Sequence, residues 1–178
     1  MKLAIISHQS LSTLGGISTH IRQLAEAMTR LGVDVEVIVP ETRFTTSTLT
    51  YPFRVTPIYL TSKLQTLKAL EYSYKVYKYI SENRRKFDAI HGSQWSTYVL
   101  VKYRDNIGIP IVTKFHGTTW IGTLVQIWLS KKMTYYKNLV KLPISFLYSS
   151  IEKTIAKNSM GLISVSYTHL TLPTTERV

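Results

Sequence analysis

The sequence predicts an α/β domain: a doubly wound, Rossmann-like parallel sheet with helices on both faces. Two observations carry that prediction. Short apolar runs alternate with longer stretches of helical spacing along nearly the whole chain, with no internal repeat and no low-complexity interior. The first forty residues, Met1 to Pro40, also form one complete strand–helix–strand unit around the turn Ser12-Thr13-Leu14-Gly15-Gly16.

In that unit Leu3, Ala4, Ile5 and Ile6 make the first strand. Ile17, Ile21, Leu24, Ala25, Met28 and Leu31 then keep helical spacing. Gly32 stands where a helix C-terminal cap is expected, and Val33, Val35, Val37 and Val39 alternate as a strand ending at Pro40. Such a unit requires a parallel pair joined by a right-handed crossover. A threonine-rich loop, Glu41 to Thr50, leads to Phe53–Leu60, which reads as an edge strand because Pro57 cannot donate to a ladder.

A long amphipathic helix follows, with Leu64, Leu67, Leu70, Tyr74, Tyr77 and Ile80 at three- and four-residue steps. Arg84-Arg85-Lys86 near its end suits the helix dipole, which favours a helix terminus over a nucleic-acid patch. Phe87–His91 is a short buried strand, Gly92-Ser93-Gln94 turns into a helix from about Trp95 to Asn106, and Gly108 ends it. Ile109–Phe115 is the next strand, apolar on most positions as a sheet covered on both faces requires. Residues 120–158 read as two helices interrupted near Pro143, and Gly161–Ser166 closes the pattern.

A chain of 178 residues has room for one domain with a sizeable core. No apolar run approaches the ~20 residues of a membrane span, and Leu3–Ile6 is too short for a secretory signal. The absence of cysteine excludes disulfides and thiolate metal sites, so a cytoplasmic location is expected. The formal net charge of +12 attracts nucleic acid, phospholipid or phosphorylated ligands, or serves solubility and an oppositely charged partner. In 120–158, aromatic residues such as Trp120, Trp128 and Tyr135 interleave with lysines against the single acid Glu152. That pattern suits the headgroup boundary of an anionic bilayer, or a helix pair packed on the sheet with a solvated lysine face. Nucleic acid is disfavoured because no recognition motif accompanies the lysines.

Candidate site residues fall where the strands end. At the carboxyl edge of a parallel sheet, backbone N–H groups and the positive end of the next helix point into one crevice. Gly15-Gly16 sits there, though without the third glycine of the dinucleotide fingerprint, and fits a structural turn as well as a ligand-facing one. His8 and Gln9 lie near the same loop.

Together these pieces resemble the N-terminal domain of the retaining glycosyltransferases of family 4, which have the GT-B fold. The matching stretches are Gly15-Gly16-Ile17-Ser18-Thr19-His20 with Leu24-Ala25 behind it, Leu31-Gly32-Val33-Asp34-Val35-Glu36-Val37, Phe87-Asp88-Ala89-Ile90-His91, Pro110-Ile111-Val112-Thr113-Lys114-Phe115-His116-Gly117 and Ile163-Ser164-Val165-Ser166. They span residues 1–166 in the family's order.

The resemblance implies transfer of a sugar from a UDP- or GDP-sugar donor to an acceptor hydroxyl, with retention and without a metal or other cofactor. It implies that this domain holds a glycan or lipid-linked acceptor, at the cytoplasmic face of the cell membrane. The glycine loop, Gly15 and Gly16, meets the donor phosphates or the acceptor. His116 is the catalytic candidate, its imidazole beside the donor sugar and the reacting acceptor, with Gly117, Thr118 and His91 as substrate contacts. For His116, His91 and His20 the alternative is a packing role.

Two departures stand out. A second Rossmann-like domain, which carries most donor contacts and two glutamates seven residues apart in the family, has no counterpart here. Residues 167–178, beginning Tyr-Thr-His-Leu-Thr-Leu-Pro-Thr-Thr, continue no element and resemble translated adapter sequence, so a truncated gene fragment, inactive alone, is expected; His169 in that tail is assigned no role.

Overall fold

The computed structural model describes residues 1–41, 50–62, 64–115 and 142–164. Its six strands are β1 (Lys2–Ile6), β2 (Asp34–Glu41), β3 (Arg54–Tyr59), β4 (Ala89–Ser93), β5 (Ile111–Phe115) and β6 (Gly161–Ser164). They form one sheet in the order β3-β2-β1-β4-β5-β6, with every pair parallel. The expected parallel sheet is therefore present, with β3, the strand containing Pro57, at one edge as anticipated. The helices are α1 (Gly16–Arg30), α2 (Gln65–Glu82), the short α3 (Tyr98–Lys102) and α4 (Arg104–Ile107), and α5 (Leu142–Asn158). The helices expected between residues 120 and 141, the end of the last strand and the tail lie outside the described residues.

The central strands of the sheet are buried on both faces. Leu3, Ile5, Val35, Val37 and Val39 pack with Ile21 and Ala25 of α1. Ala4, Ile6, Ile38, Ile90 and Ile111 pack on the other side with Tyr72, Val76 and Ile80 of α2 and Leu100 and Val101 of α3. α1 therefore covers one face, while α2 and α3 cover the other.

Both glycine caps act as anticipated. Gly32 (φ 79°) and Gly108 (φ 68°) are left-handed, a conformation that costs glycine little. At the end of α1, Val33 N–H donates to Met28 O (3.1 Å) and Gly32 N–H to Thr29 O (3.0 Å), a complete Schellman motif. Val33 and Met28 pack on the same core cluster, which supplies the motif's apolar contact.

Two expectations are corrected. The single helix from Trp95 to Asn106 is instead a 3-10 turn, Gln94–Thr97, followed by α3 and α4. Gly92 lets that turn fold back on the strand end: a Cβ there would stand 2.0 Å from Thr97 Cγ2. In α2, the conspicuous leucine stripe is not the buried one. Tyr72, Ser73, Val76 and Ile80 face the core, whereas Leu64, Leu67, Leu70 and Tyr74 are exposed.

One carboxylate is buried inside the sheet. Glu36, 1% exposed, is paired in register with Ala4 and so faces α2. Its Oε1 accepts from Thr56 Oγ1 (2.7 Å) and from the Tyr79 hydroxyl, while Oε2 lies 3.7 Å from Lys2 Nζ and 3.9 Å from Arg54 Nε. Burial, followed by the bond to Glu36, raises the Tyr79 pKa.

Two substitutions test this packing by urea unfolding. Glu36→Ala strands the groups that converge on the carboxylate and is expected to cost about 3 kcal/mol. Gly92→Ala overpacks the β4 end and is expected to cost about 2 kcal/mol. A loss below roughly 0.5 kcal/mol for either, the range of neutral surface changes, would contradict the assigned contact.

Candidate functional site

At the carboxyl edge of the sheet, a cavity of about 490 Å³ opens where β1, β2 and β4 end. The loop after β1 contributes His8, Gln9, Ser10 and Thr13, and the end of β2 contributes Pro40 and Glu41. α2 contributes Lys68, Ala69 and Tyr72, the turn after β4 contributes Gln94, Trp95 and Ser96, and α5 contributes Tyr148. Chain segments far apart in sequence thus meet because the parallel sheet brings every strand end to one edge.

His8 is held by Ser93, the last residue of β4. Its Nδ1 lies 2.8 Å from Ser93 Oγ, and its backbone N–H donates to the same oxygen at 3.3 Å. The other acceptor for that hydroxyl, Ile6 O, is more distant at 3.5 Å. With the hydroxyl donating along the shorter contact, Nδ1 accepts and Nε2 carries the proton. Burial lowers the His8 pKa, so the imidazole is neutral at pH 7 and can offer a donor.

Glu41 supplies the complementary acceptor. Its Oε1 accepts from Ser10 Oγ (2.6 Å), while its Oε2 is buried with no hydrogen-bond partner among the described residues. Trp95 and Tyr148 form an aromatic wall, their ring centroids 3.6 Å apart and tilted by 38°. Tyr72 is fixed by donating to Ile38 O (2.8 Å), and its burial raises the phenol pKa well above the usual value. Gln94 has φ 38°, a left-handed backbone that side chains rarely adopt, at the cavity wall. The loop before α2 is braced by Glu71, which accepts from Thr61 N (3.0 Å), Ser62 N (2.9 Å) and Lys75 Nζ (2.7 Å). Lys75, followed by Ser62, holds the Glu71 carboxyl below the usual range.

The sequence candidates separate into three groups. Gly15 is the N-cap of α1 and Gly16 its first residue, both exposed and beside the cavity, which Thr13 lines. Positive φ does not explain this pair: Gly15 is extended at φ 169°, and a Cβ on Gly16 would meet nothing within 4 Å. No N-cap side chain satisfies the first-turn amides of α1. Instead, Ser18 Oγ ties the helix to the preceding loop by donating to Ser10 O (3.1 Å).

His91 is corrected in position. β4 continues to Ser93, so His91 lies inside the strand in register with Ile5 and Val112. Ile5 faces α1, which puts His91 on the α1 side, away from the α2 side of the cavity. His116, Gly117 and Thr118 lie outside the described residues.

His20 sits within α1 and accepts from Lys114 Nζ at 2.7 Å, tying α1 to β5. Burial, then the neighbouring ammonium, lowers its pKa. Among the described residues, no three His, Cys, Asp or Glu side chains converge to hold a metal.

A neutral imidazole, an unpartnered carboxylate oxygen and an aromatic wall in one cavity are complementary to a ligand rich in hydroxyls. Of the cavity's residues, the sequence pointed to His8 and Gln9 beside the glycine loop. Glu41, Lys68, Tyr72, Gln94, Trp95 and Tyr148 are joined only by the tertiary fold, though Glu41 and Gln94 could have been marked as strand-end residues.

The family model for Glycosyltransferase Family 4 matches residues 14–170, and the chain belongs to that family. The fold agrees with solved glycosyltransferase structures at low identity. One structure of sucrose-phosphate synthase from Thermosynechococcus elongatus is 14% identical with a TM-score of 0.61, covering 96% of this chain and 79% of that one. A second structure of the same enzyme is 15% identical with a TM-score of 0.59, covering 98% of this chain and 53% of that one. LpCGTa in complex with UDP is 14% identical with a TM-score of 0.57, covering 92% of this chain and 45% of that one. Against the first structures matched, two of Phytolacca americana UGT2, this chain spans 32% of their length. No curated protein gives a significant match.

The two lowered histidine pKa values give a pH prediction. Both folded values lie below the ordinary 6.5, so the unfolded chain binds more protons in the window just beneath it. Stability from these groups is fully present above pH 6.5 and declines as pH falls toward the folded values. Thermal unfolding at pH 7.5 and 5.5 should show a lower midpoint at 5.5, and H8N/H20N should reduce that difference. An unchanged difference in the double variant would contradict the assignment.

Proposed function

We propose that the chain is the N-terminal, acceptor-side part of a retaining glycosyltransferase acting in cell-surface glycan or glycolipid synthesis. It moves a sugar from a UDP- or GDP-linked donor to an acceptor hydroxyl. Family membership supports the transferase class, and the cavity at the sheet edge carries the acceptor assignment. In this reading Glu41 Oε2 accepts from an acceptor hydroxyl, His8 Nε2–H donates to another oxygen, and a pyranose ring lies against Trp95 and Tyr148.

Gly15 and Gly16, with the first-turn amides of α1, meet the donor phosphates or the acceptor, and His116 is the catalytic residue beside the donor sugar and the reacting acceptor, with Gly117, Thr118 and His91 as substrate contacts. The reading assigns no resident metal or cofactor. It places residues 1–166 in the acceptor domain, leaves 167–178 outside it, and puts most donor contacts on a second domain. The enzyme works on the cytoplasmic side, with 120–158 against the membrane.

The test is binding and turnover by the 178-residue chain. Radiolabelled UDP-glucose or GDP-mannose should give no transfer to methyl glycosides, because reaction requires the donor to be held in place. Saturation-transfer NMR should detect the glycosides bound, with Glu41→Gln and Trp95→Ala each weakening binding by about tenfold. Turnover by this chain, or undiminished binding in both variants, would contradict the proposal. The second reading, a non-catalytic module for phosphorylated ligands or nucleic acid, is favoured by the +12 charge. Oligonucleotide binding with a steep salt slope and no glycoside binding would select it.

A further inference from the structure

The cavity at the sheet edge displays two opposite charges that do not meet. Glu41, at the end of β2, leaves Oε2 buried with no hydrogen-bond partner among the described residues. Lys68 lines the cavity from α2, and among the described residues its ammonium has neither a hydrogen-bond acceptor nor a carboxylate within ion-pair distance. The next lysine of the helix is held quite differently. Lys75 Nζ donates to both Glu71 Oε1 and Tyr59 O at 2.7 Å.

Lys68 also stands in the first turn of α2, where neither an acidic residue nor an N-cap side chain offsets the positive pole of the helix. The dipole disfavours a cation there, and the two together attract an anion. A neutral sugar satisfies only part of such a lining. Its hydroxyls meet Glu41 and His8 and its ring meets Trp95, but in filling the cavity it strips water from the Lys68 ammonium and returns no charge. An anionic group on the ligand supplies that charge, in a charge-assisted contact about twice as strong as a neutral one. Glu41 then fixes the orientation, because it repels the same group from the β2 end of the cavity.

We infer that the cavity takes an acidic sugar, whose carboxylate or phosphate lies against Lys68 at the α2 wall while its hydroxyls face Glu41 and His8. The inference rests on the acceptor reading of the cavity and narrows it from hydroxylated ligands in general to anionic ones. The net charge of +12 does not by itself make this assignment, since it draws any anion to any face. The cavity makes it, by displaying an unpaired ammonium and an unpaired carboxylate oxygen on different walls.

Calorimetric titration of the 178-residue chain tests it. The probes are methyl glucoside, methyl glucuronide, glucose phosphorylated at the primary hydroxyl, glucose phosphorylated at the anomeric hydroxyl, and inorganic phosphate. At least one acidic sugar should bind about tenfold more tightly than methyl glucoside. Lys68→Gln should abolish that margin while leaving methyl glucoside affinity within about twofold of its original value. Lys68→Arg should keep the margin, and so should Lys78→Gln, which removes the same charge from a lysine whose side chain is 67% exposed. Circular dichroism reports folding of each variant. The acidic sugar that gains most separates a carboxylate from a phosphate, and a phosphate on the primary hydroxyl from the anomeric phosphate that joins sugars to lipid carriers. Equal affinity for methyl glucoside and every acidic sugar would overturn the inference and leave the acceptor reading standing. An acidic margin that survives Lys68→Gln, or inorganic phosphate binding as tightly as either sugar phosphate, would overturn it in the same way, as attraction of anions alone. Absence of binding by any sugar, neutral or acidic, would instead overturn the acceptor reading and this inference with it.

Discussion

The seam between β1 and β4 organises the molecule, and the Ser93 hydroxyl ties it. In the order β3-β2-β1-β4-β5-β6, the chain leaves β1 through α1 on one face and returns to β4 from α2 on the other. The loops beyond β1 and β4 therefore diverge, and a crevice opens between them. Ser93, fully buried, contacts both the His8 backbone and its ring across that gap. Without this tie, the loop bearing Gln9, Ser10 and Thr13 would lose its anchor to the strand that leads into the turn carrying Gln94 and Trp95.

The rest of the site follows from that geometry. β2 ends beside β1 and delivers Glu41; α2 crosses the same edge and delivers Lys68 and Tyr72. Gly92 allows the backbone after β4 to turn tightly enough for Trp95 to meet Tyr148, since Thr97 already occupies the space a Cβ would need. Strain at Gln94 and an unpartnered oxygen on Glu41 then occur in one place. Folding alone rewards neither, and both are understandable where a ligand is to be held.

The fold was legible in the sequence because its signals are local. Alternating valines, glycine caps and the proline of an edge strand each act within a few residues, and the structure retains them at Val35, Val37, Val39, Gly32, Gly108 and Pro57. Where two patterns compete within one element, spacing cannot rank them. α2 carries Leu64-Leu67-Leu70-Tyr74 and Tyr72-Ser73-Val76-Ile80 on opposite sides, and the more hydrophobic series is the exposed one. The buried series is the one whose Ser73 hydroxyl accepts from Val99 N–H (2.9 Å) and whose Tyr72 hydroxyl donates to Ile38 O (2.8 Å). Glu36 is likewise buried amid valines because its partners Thr56 and Tyr79 come from distant segments. The cavity was the least legible part, since its wall draws on separate loops and helices that only the sheet assembles. His91 moved from a strand end to a strand interior because β4 runs two residues further than its apolar run suggests.

The central claim is that acceptor recognition belongs to the cavity over β1, β2 and β4, on the α2 side of the sheet. Amide and indole chemical-shift mapping of the isotopically labelled chain during titration with a methyl glycoside measures this directly. The account predicts shifts concentrated at Gln9, Ser10, Glu41, Gln94 and the Trp95 indole, with His91 and Val112 on the α1 side unmoved. Shifts centred on His91 and Val112, with the cavity residues silent, would contradict it.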